Sequence, residues 1–338
     1  MRALVLSAAA PIESAPLRLE ARATPAPGPR EILVRVSACG VCRTDLHIVE
    51  GELPSARPSI VPGHQVIGRV ERTGSIARRF QPGDRVGIAW LRGTCGACEA
   101  CRGGRENLCE RPEFTGYHAD GGFADYAVVS EAFAYAIPPV FGDAEAAPLL
   151  CAGIIGYRAL KLSEVKAGGR LGIYGFGASA HVTLQVARAR GCDVFVCTRE
   201  ESHRALARRL GATWVGGVGD AMPAKMHGAI LFAPAGELVP VALRNLERGG
   251  TLALAGIYMT AVPPLDYERD LFYERSIRSV TANTRVDGEE LLAEAERIPI
   301  RPATTTFALE DANRALALLK RGGFAGAGVL LTGEGSRV

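Results

Sequence analysis

The sequence predicts an α/β plus β protein, in which a β-rich domain is joined to a domain built on a doubly wound parallel sheet. Three observations carry this reading. The first ~140 residues are short β-rich runs punctuated by glycine and proline, among them EILVRVSACG, HQVIGRVERTG, GDRVGIAW and GGFADYAVVS. From about Ala144 the pattern becomes strand, glycine turn, helix, strand, as in GRLGIYGFGASAHVTLQVARARGCDVFVCTRE. At 338 residues the chain is long for one core and natural for two.

The elements follow in order. Leu4 to Leu6 read as an edge strand, because Pro11 and Glu13 cut the apolar run too short for a signal peptide. AEAAPLLCAGIIGYRALKL carries helix formers and leads into the α/β part. HGAILFAPAG and GGTLALAGI read as strands, and LVPVALRNLERGG as a helix ended by glycines. LEDANRALALLKRGG is an amphipathic helix with an acidic first turn, closed by Gly322 and Gly323. The expected domains are residues 1–145 with 269–338, and residues 146–268.

Hydrophobic residues at 48% and charged residues at 22% give ordinary globular composition. The balance of 39 basic against 36 acidic residues leaves a net charge of +3, and no basic block is suited to a phosphate backbone. Nucleic acid is therefore not an expected partner. No apolar stretch is long enough to span a bilayer, so no membrane partner is expected and a cytoplasmic location is. Nine cysteines in such a chain point to metal or redox chemistry before disulfides.

Cys95, Cys98 and Cys101, with Cys109 after seven further residues, form the strongest local signal. Four thiolates close a tetrahedral shell around zinc with no open position, which makes a structural site. Gly96, Gly103 and Gly104 allow a short loop to wrap an ion. Arg92, Arg102, Arg105 and Arg111 flank the cysteines and are candidates to offset the charge of the tetrathiolate. A zinc ribbon gripping nucleic acid is the rival, but long strands or a recognition helix are missing.

A catalytic zinc keeps three protein ligands and one open position. Cys42 in CGVCRTDLH, His64 in VPGHQVIG and Cys151 in LLCAG are candidates, each weak alone. Singly, His64 reads as a core or surface histidine and Cys151 as a small buried hydrophobe. Cys39 and Cys42 also form a CxxC, though without a thioredoxin-like pattern around it.

Gly175-Phe176-Gly177-Ala178-Ser179-Ala180 follows the strand RLGIY and opens the helix HVTLQVARAR, the context of a Rossmann dinucleotide turn. Gly175 permits the tight turn, and Gly177 admits the pyrophosphate to the helix N-terminus. An NAD enzyme ends the next strand with an acid for the ribose 2′-OH. Here the strand ends in Thr198-Arg199, with His203 and Arg204 one turn on, which suits a 2′-phosphate. The residues thus favour NADP(H) over NAD(H). Glu200 is the competing feature, since a one-residue shift of the loop brings it to the ribose.

The order Cys42-Arg-Thr44-Asp45-Leu-His47, then Gly63-His64, the four-cysteine lobe, Cys151 and Gly175-Phe-Gly177 resembles the zinc-dependent alcohol dehydrogenases of the medium-chain dehydrogenase/reductase superfamily. The match is collinear over almost the whole chain. Those enzymes are themselves the standard example of a Cys₂His catalytic zinc, so that ligand set comes from the resemblance and not from spacing. The resemblance implies that Cys42, His64 and Cys151 hold a catalytic zinc, which lowers the pKa of a bound hydroxyl while a hydride passes to the nicotinamide. It implies that Thr44 is the relay hydroxyl, His47 the histidine that passes the proton onward, and Asp45 the carboxylate that orients His64. The plainer alternatives are that Thr44 and Asp45 cap a helix and that His47 is a surface residue.

Trp90 lies where small-alcohol enzymes of this family place a bulky pocket aromatic; the alternative is a buried core tryptophan. Two departures stand out. Gln65 follows the zinc-binding histidine where the family has glutamate, and Gly326-Ala327-Gly328-Val329 lacks the arginine that touches the pyrophosphate in many relatives. The implied architecture is a GroES-like β-rich catalytic domain and a Rossmann cofactor domain with the active site in the cleft, assembled as a homodimer or homotetramer. The implied activity is reversible hydride transfer between a small primary alcohol, or its aldehyde, and the cofactor, with two Zn²⁺ per subunit. A polyol or aromatic-alcohol dehydrogenase is the alternative on the same scaffold. A nucleotide-binding regulator without catalysis is the rival from another class, though every zinc ligand and the relay hydroxyl are present.

Overall fold

The computed structural model describes residues 1–333; residues 334–338, the end of the segment expected to return to the first domain, lie outside the described residues. The chain forms two compact units. The first is Met1–Cys151 with Ala282–Ala293 and Pro302–Val338, and the second is Ala152–Thr281 with Glu294–Arg301.

A seven-stranded sheet organises the first unit. Its order runs Thr304–Ala308, Ala327–Leu331, Glu31–Val41, Val66–Thr73, Arg85–Ile88, Ala134–Ala136, and Tyr126–Ser130 pairs with the first half of Glu31–Val41. β-branched residues at alternating positions make these segments strands and send one face inward. Ile32, Val34, Val36, Cys39, Val66, Val86, Ile88 and Phe123 form the core on that face. Full burial of each such large side chain contributes about 1.5–3 kcal/mol. The antiparallel register sets Cys39 opposite Val66, and Gly40 N–H donates to Gln65 O at 3.0 Å. That pairing brings the end of one strand, just before Cys42, beside the start of the next, just after His64.

The second unit holds a six-stranded parallel sheet in the order Trp214–Gly216, Asp193–Cys197, Arg170–Tyr174, Met226–Leu231, Leu246–Leu254, Ser276–Ser279. The order reverses between Arg170–Tyr174 and Met226–Leu231, the mark of a doubly wound sheet and of its ligand crevice. Its core includes Tyr174, Phe195, Leu231, Leu243 and Leu252.

Three sequence expectations are corrected. The helical run from Ala144 is broken: a 3₁₀ turn at Ala147–Leu150 precedes Cys151, whose φ −134° and ψ −69° lie outside the helix, and the helix proper is Ala152–Leu162. The second concerns LVPVALRNLERGG, where the helix stops at Arg244. Leu246 is captured by strand pairing with Met226, so Gly249 and Gly250 lie inside a strand instead of capping a helix. Finally, the boundary expected at residue 268 falls at Thr281, because Ser276–Ser279 is the sixth strand of the parallel sheet.

Candidate functional site

Cys42 is the N-cap of the helix Arg43–Glu50, in a capping box. Its backbone N–H donates to Asp45 Oδ2 at 2.9 Å, and its thiol accepts from Thr44 N–H at 3.3 Å. The helix dipole therefore favours a thiolate at this position. His64 follows Gly63, whose φ of 99° and approach to Phe123 exclude any side chain; an added Cβ would lie 2.5 Å from Phe123 Cδ1. Asp45 Oδ1 accepts from Gly63 N–H at 3.1 Å and lies 3.0 Å from His64 Nδ1. With Nδ1 donating to this carboxylate, Nε2 is the nitrogen that would offer its lone pair to a metal. That nitrogen faces Cys42 Sγ at 3.2 Å.

The break before Ala152 delivers Cys151 to the same place. Cys42 Sγ, Cys151 Sγ and a ring nitrogen of His64 all lie within 4.8 Å of one another. Burial pushes the Cys42 thiol up, but hydrogen bonding with Cys151 and the charge and hydrogen bond of His64 outweigh it and hold the thiol well below its ordinary value. Burial alone would strip the proton from His64; Asp45 and Cys42 more than reverse that. A Cys42 thiolate thus faces a protonated His64, whose Nε2 proton a divalent cation would displace. Two thiols and one imidazole, with no fourth protein donor in the group, fit an open zinc centre.

Cys95, Cys98, Cys101 and Cys109 also gather within 4.8 Å. Backbone N–H groups of Cys95 and Arg111 donate to Cys109 Sγ, and that of Cys98 to Cys95 Sγ, at 3.3–3.4 Å. Gly96 and Gly104 take left-handed φ of 68° each, which lets the loop close. These donors stabilise thiolates, as a closed zinc shell requires. The flanking arginines do less than their spacing suggests. Arg92 is buried against Val128 O and Glu31, and Arg105 pairs with Glu99 at 3.7 Å.

Cys39 is fully buried in the sheet core, and burial raises its thiol, so the CxxC is one core cysteine and one site cysteine. Gln65 is buried over Gly40, and its Nε2 has no hydrogen-bond partner among the described residues. Trp90 meets the His64 ring edge to face at 4.9 Å, which sets it at the candidate centre and not in a remote core.

One residue escaped the sequence reading. His47 Nδ1 is hydrogen bonded to the Glu52 carboxylate. Gly51 caps the helix at φ 78°, and Leu53 N–H returns to His47 O at 3.2 Å, so the turn folds Glu52 back over the histidine. The glycine directly after a helix was the available signal.

In the second unit, Gly175 takes φ 86° at the end of Arg170–Tyr174, and an added Cβ would lie 2.8 Å from Ala233 N. Gly177 is the N-cap of the helix Ala178–Ala189, and nothing lies within 4 Å of where its Cβ would be. This leaves the N–H groups of Ala178, Ser179 and Ala180, unpaired within any helix, at an open anion site. The next strand ends at Cys197, earlier than the sequence suggested, and Thr198 follows it directly. Arg204 Nε donates to Thr198 O at 2.9 Å, while the Arg199 side chain is 86% exposed and 3.5 Å from Glu200. Glu200 is also 3.4 Å from His203. The strand Ala327–Leu331 carries no basic side chain.

Residues 28–139 match the alcohol dehydrogenase GroES-like domain, and residues 178–297 match the zinc-binding dehydrogenase domain. The chain is similar, at 51% identity over 95% of its length and 94% of the other, to a Mycobacterium tuberculosis protein described as a probable alcohol dehydrogenase. The chain belongs to the zinc-dependent alcohol dehydrogenases of the medium-chain superfamily. Among solved structures, a protein of Sinorhizobium meliloti described as a zinc-binding dehydrogenase, bound to NADP, matches with TM-score 0.86 and 28% identity over 98% of this chain and 99% of that one. An acetophenone reductase of Geotrichum candidum in complex with NAD matches with TM-score 0.86 and 26% identity over 98% and 97%. As an alcohol dehydrogenase of this family, the chain is an NAD(P)-linked oxidoreductase that uses zinc and acts on a small molecule. No helix among the described residues is long and apolar enough to cross a membrane.

Proposed function

We propose that this alcohol dehydrogenase interconverts small primary alcohols and their aldehydes with NADP(H), holding one zinc at Cys42, His64 and Cys151 and a second at Cys95, Cys98, Cys101 and Cys109. The observation that carries the proposal is the first donor group: three ligand atoms within 4.8 Å, with the imidazole oriented by a buried carboxylate. When bound there, zinc supplies Lewis acidity toward the substrate oxygen. Asp45 fixes the His64 tautomer. Thr44, next but one to Cys42, receives the hydroxyl proton of the alcohol, and His47 passes it on toward solvent. When bound, the nicotinamide would supply the acceptor for the hydride of the substrate carbon, so that an alcohol and NADP⁺ would balance against an aldehyde, NADPH and one released proton. The turn Gly175 to Ala180 holds the pyrophosphate, and Thr198, Arg199 and Arg204 receive the 2′-phosphate. Arg199 is the exposed cation of that set, and the Glu200 charge is offset by Arg199 and His203.

Initial rates with NADPH and NADH on a short aldehyde test the cofactor reading; a strong preference for NADH would place Glu200, not Arg199, at the ribose. Metal analysis tests the rest: two zinc ions per subunit are expected, and fewer in an intact protein would undo the assignment. Cys42→Ser is expected to remove activity with little loss of fold, and Cys98→Ser to lower thermal stability. An aromatic-alcohol reading is favoured by one observation, the ring wall formed by Trp90, Phe114 and Tyr117, and by the acetophenone reductase relative. A panel of linear and benzylic aldehydes separates the two. Assembly as a homodimer or homotetramer is supported by the edge strand Ser276–Ser279, all four of whose residues are exposed.

A further inference from the structure

The four-cysteine lobe is an insertion between two short strands, Leu91–Gly93 and Glu113–Phe114, which pair antiparallel with Leu91 opposite Phe114. Trp90 immediately precedes the first strand, and Phe114 ends the second. Their rings stack at 4.7 Å with 10° between planes. The backbones are tied as well: Thr115 N–H donates to Trp90 O at 2.9 Å, and Thr115 Oγ1 donates to Ala89 O at 2.8 Å. Phe114 is itself held from the far side, since its N–H donates to His118 Nδ1 at 3.1 Å and His118 N–H returns to Phe114 O at 2.9 Å. The Trp90 ring also meets His64 edge to face at 4.9 Å and lies 6.1 Å from the Tyr117 ring, a second and looser stack.

A partly buried indole beside a reacting centre has two χ angles to spend, and a stacked partner removes that freedom. We propose that Phe114, in the neck of the four-cysteine lobe, is a positioning residue that clamps Trp90 against His64 and so sets the shape of substrate the centre accepts. The clamp rejects aldehydes branched next to the carbonyl, because a fixed ring occupies the space their branch needs. It rests on the reading of Trp90 as the pocket wall. It also gives the lobe a role beyond stability, since one ring ends a strand that carries the cysteine loop and the other directly precedes its partner strand.

The test uses the zinc-loaded enzyme. Trp90 and Trp214 are the two tryptophans of the chain, so Trp214→Phe leaves Trp90 as the sole emitter. In that background Phe114→Ala is expected to increase the local mobility of Trp90 in time-resolved fluorescence anisotropy. It is expected to lower the preference in kcat/KM for butanal over 2,2-dimethylpropanal by about tenfold, mainly through KM. Phe114→Tyr keeps the stack and is expected to restore both readouts. Trp90→Ala runs in parallel and is expected to lose the same preference. If Trp90→Ala relaxes selectivity while Phe114→Ala leaves selectivity and anisotropy unchanged, the clamp is overturned and the pocket wall stands. If Trp90→Ala leaves selectivity intact, both fall.

Discussion

Asp45 has no solvent exposure, and both carboxylate oxygens are committed, one to the Cys42 backbone and the other to Gly63 and His64. The helix-cap and ligand-orienting readings are therefore one arrangement and not alternatives. An amide retains one acceptor oxygen where the site uses two. Asp45→Asn is expected to weaken zinc binding at the Cys42 centre by about ten- to a hundredfold, read by competition with a chromophoric chelator. Unchanged affinity would mean that the carboxylate only caps the helix. At His47 the partner is Glu52, which fixes the ring by bonding Nδ1. Glu52→Gln is expected to lower kcat/KM by about ten- to a hundredfold while leaving zinc content untouched. Wild-type rates in that variant would remove Glu52 from the proton path. The histidine was legible because the resemblance names it. The glutamate was not, because its approach depends on one left-handed residue, Gly51, and not on helical spacing.

The helix Ala178–Ala189 carries a second kind of consequence. His181 is fully buried in it, and burial lowers its pKa from the ordinary 6.5 to about 4, against the pull of the Gly177 and Ala178 carbonyls. Below pH 6.5 the unfolded chain takes up a proton that the fold refuses. The contribution is therefore whole above pH 6.5 and is lost as pH falls toward 4. At pH 5 the expected loss is about 2 kcal/mol. Urea midpoints at pH 7 and pH 5 check it: His181→Gln should flatten the difference, and an equal slope in both proteins would assign the acid sensitivity elsewhere. Gly175 in the preceding turn is constrained by its left-handed φ and by Ala233. Gly175→Ala is expected to cost about 1–2 kcal/mol from conformation alone and to weaken nucleotide binding, as seen in the thermal shift produced by NADPH. This turn was legible in the sequence because strand, glycines and helix are contiguous. The break that delivers Cys151 was not, since AEAAPLLCAGIIG carries helix formers on both sides of it, although Pro148 inside the run was an available signal.

For the whole molecule, the parallel sheet ends on Ser276–Ser279, and Ile257, Tyr258, Tyr267 and Phe272 in the same unit are each more than half exposed. Ile277→Lys on that edge is expected to yield monomers where the parent chain associates, measured by sedimentation velocity. An unchanged sedimentation coefficient would locate assembly on another surface. The β-rich and α/β halves were visible from turn density and from the βαβ pattern. The extent of the second sheet was not, because the four residues of its last strand lack an apolar run. The first sheet has a property of a different sort. The half of Glu31–Val41 nearest Cys42 pairs with Ala327–Leu331, whose Leu331 stands opposite Ala38. During synthesis, that edge therefore waits for nearly the whole chain to be made, on the order of tens of seconds at ribosomal rates. The segment leading into Cys42 is the first sheet strand with a long wait for its neighbour. A nascent chain stalled before Ala327 presents an open strand edge to chaperones, even though Cys42, His64 and Cys151 have all been translated.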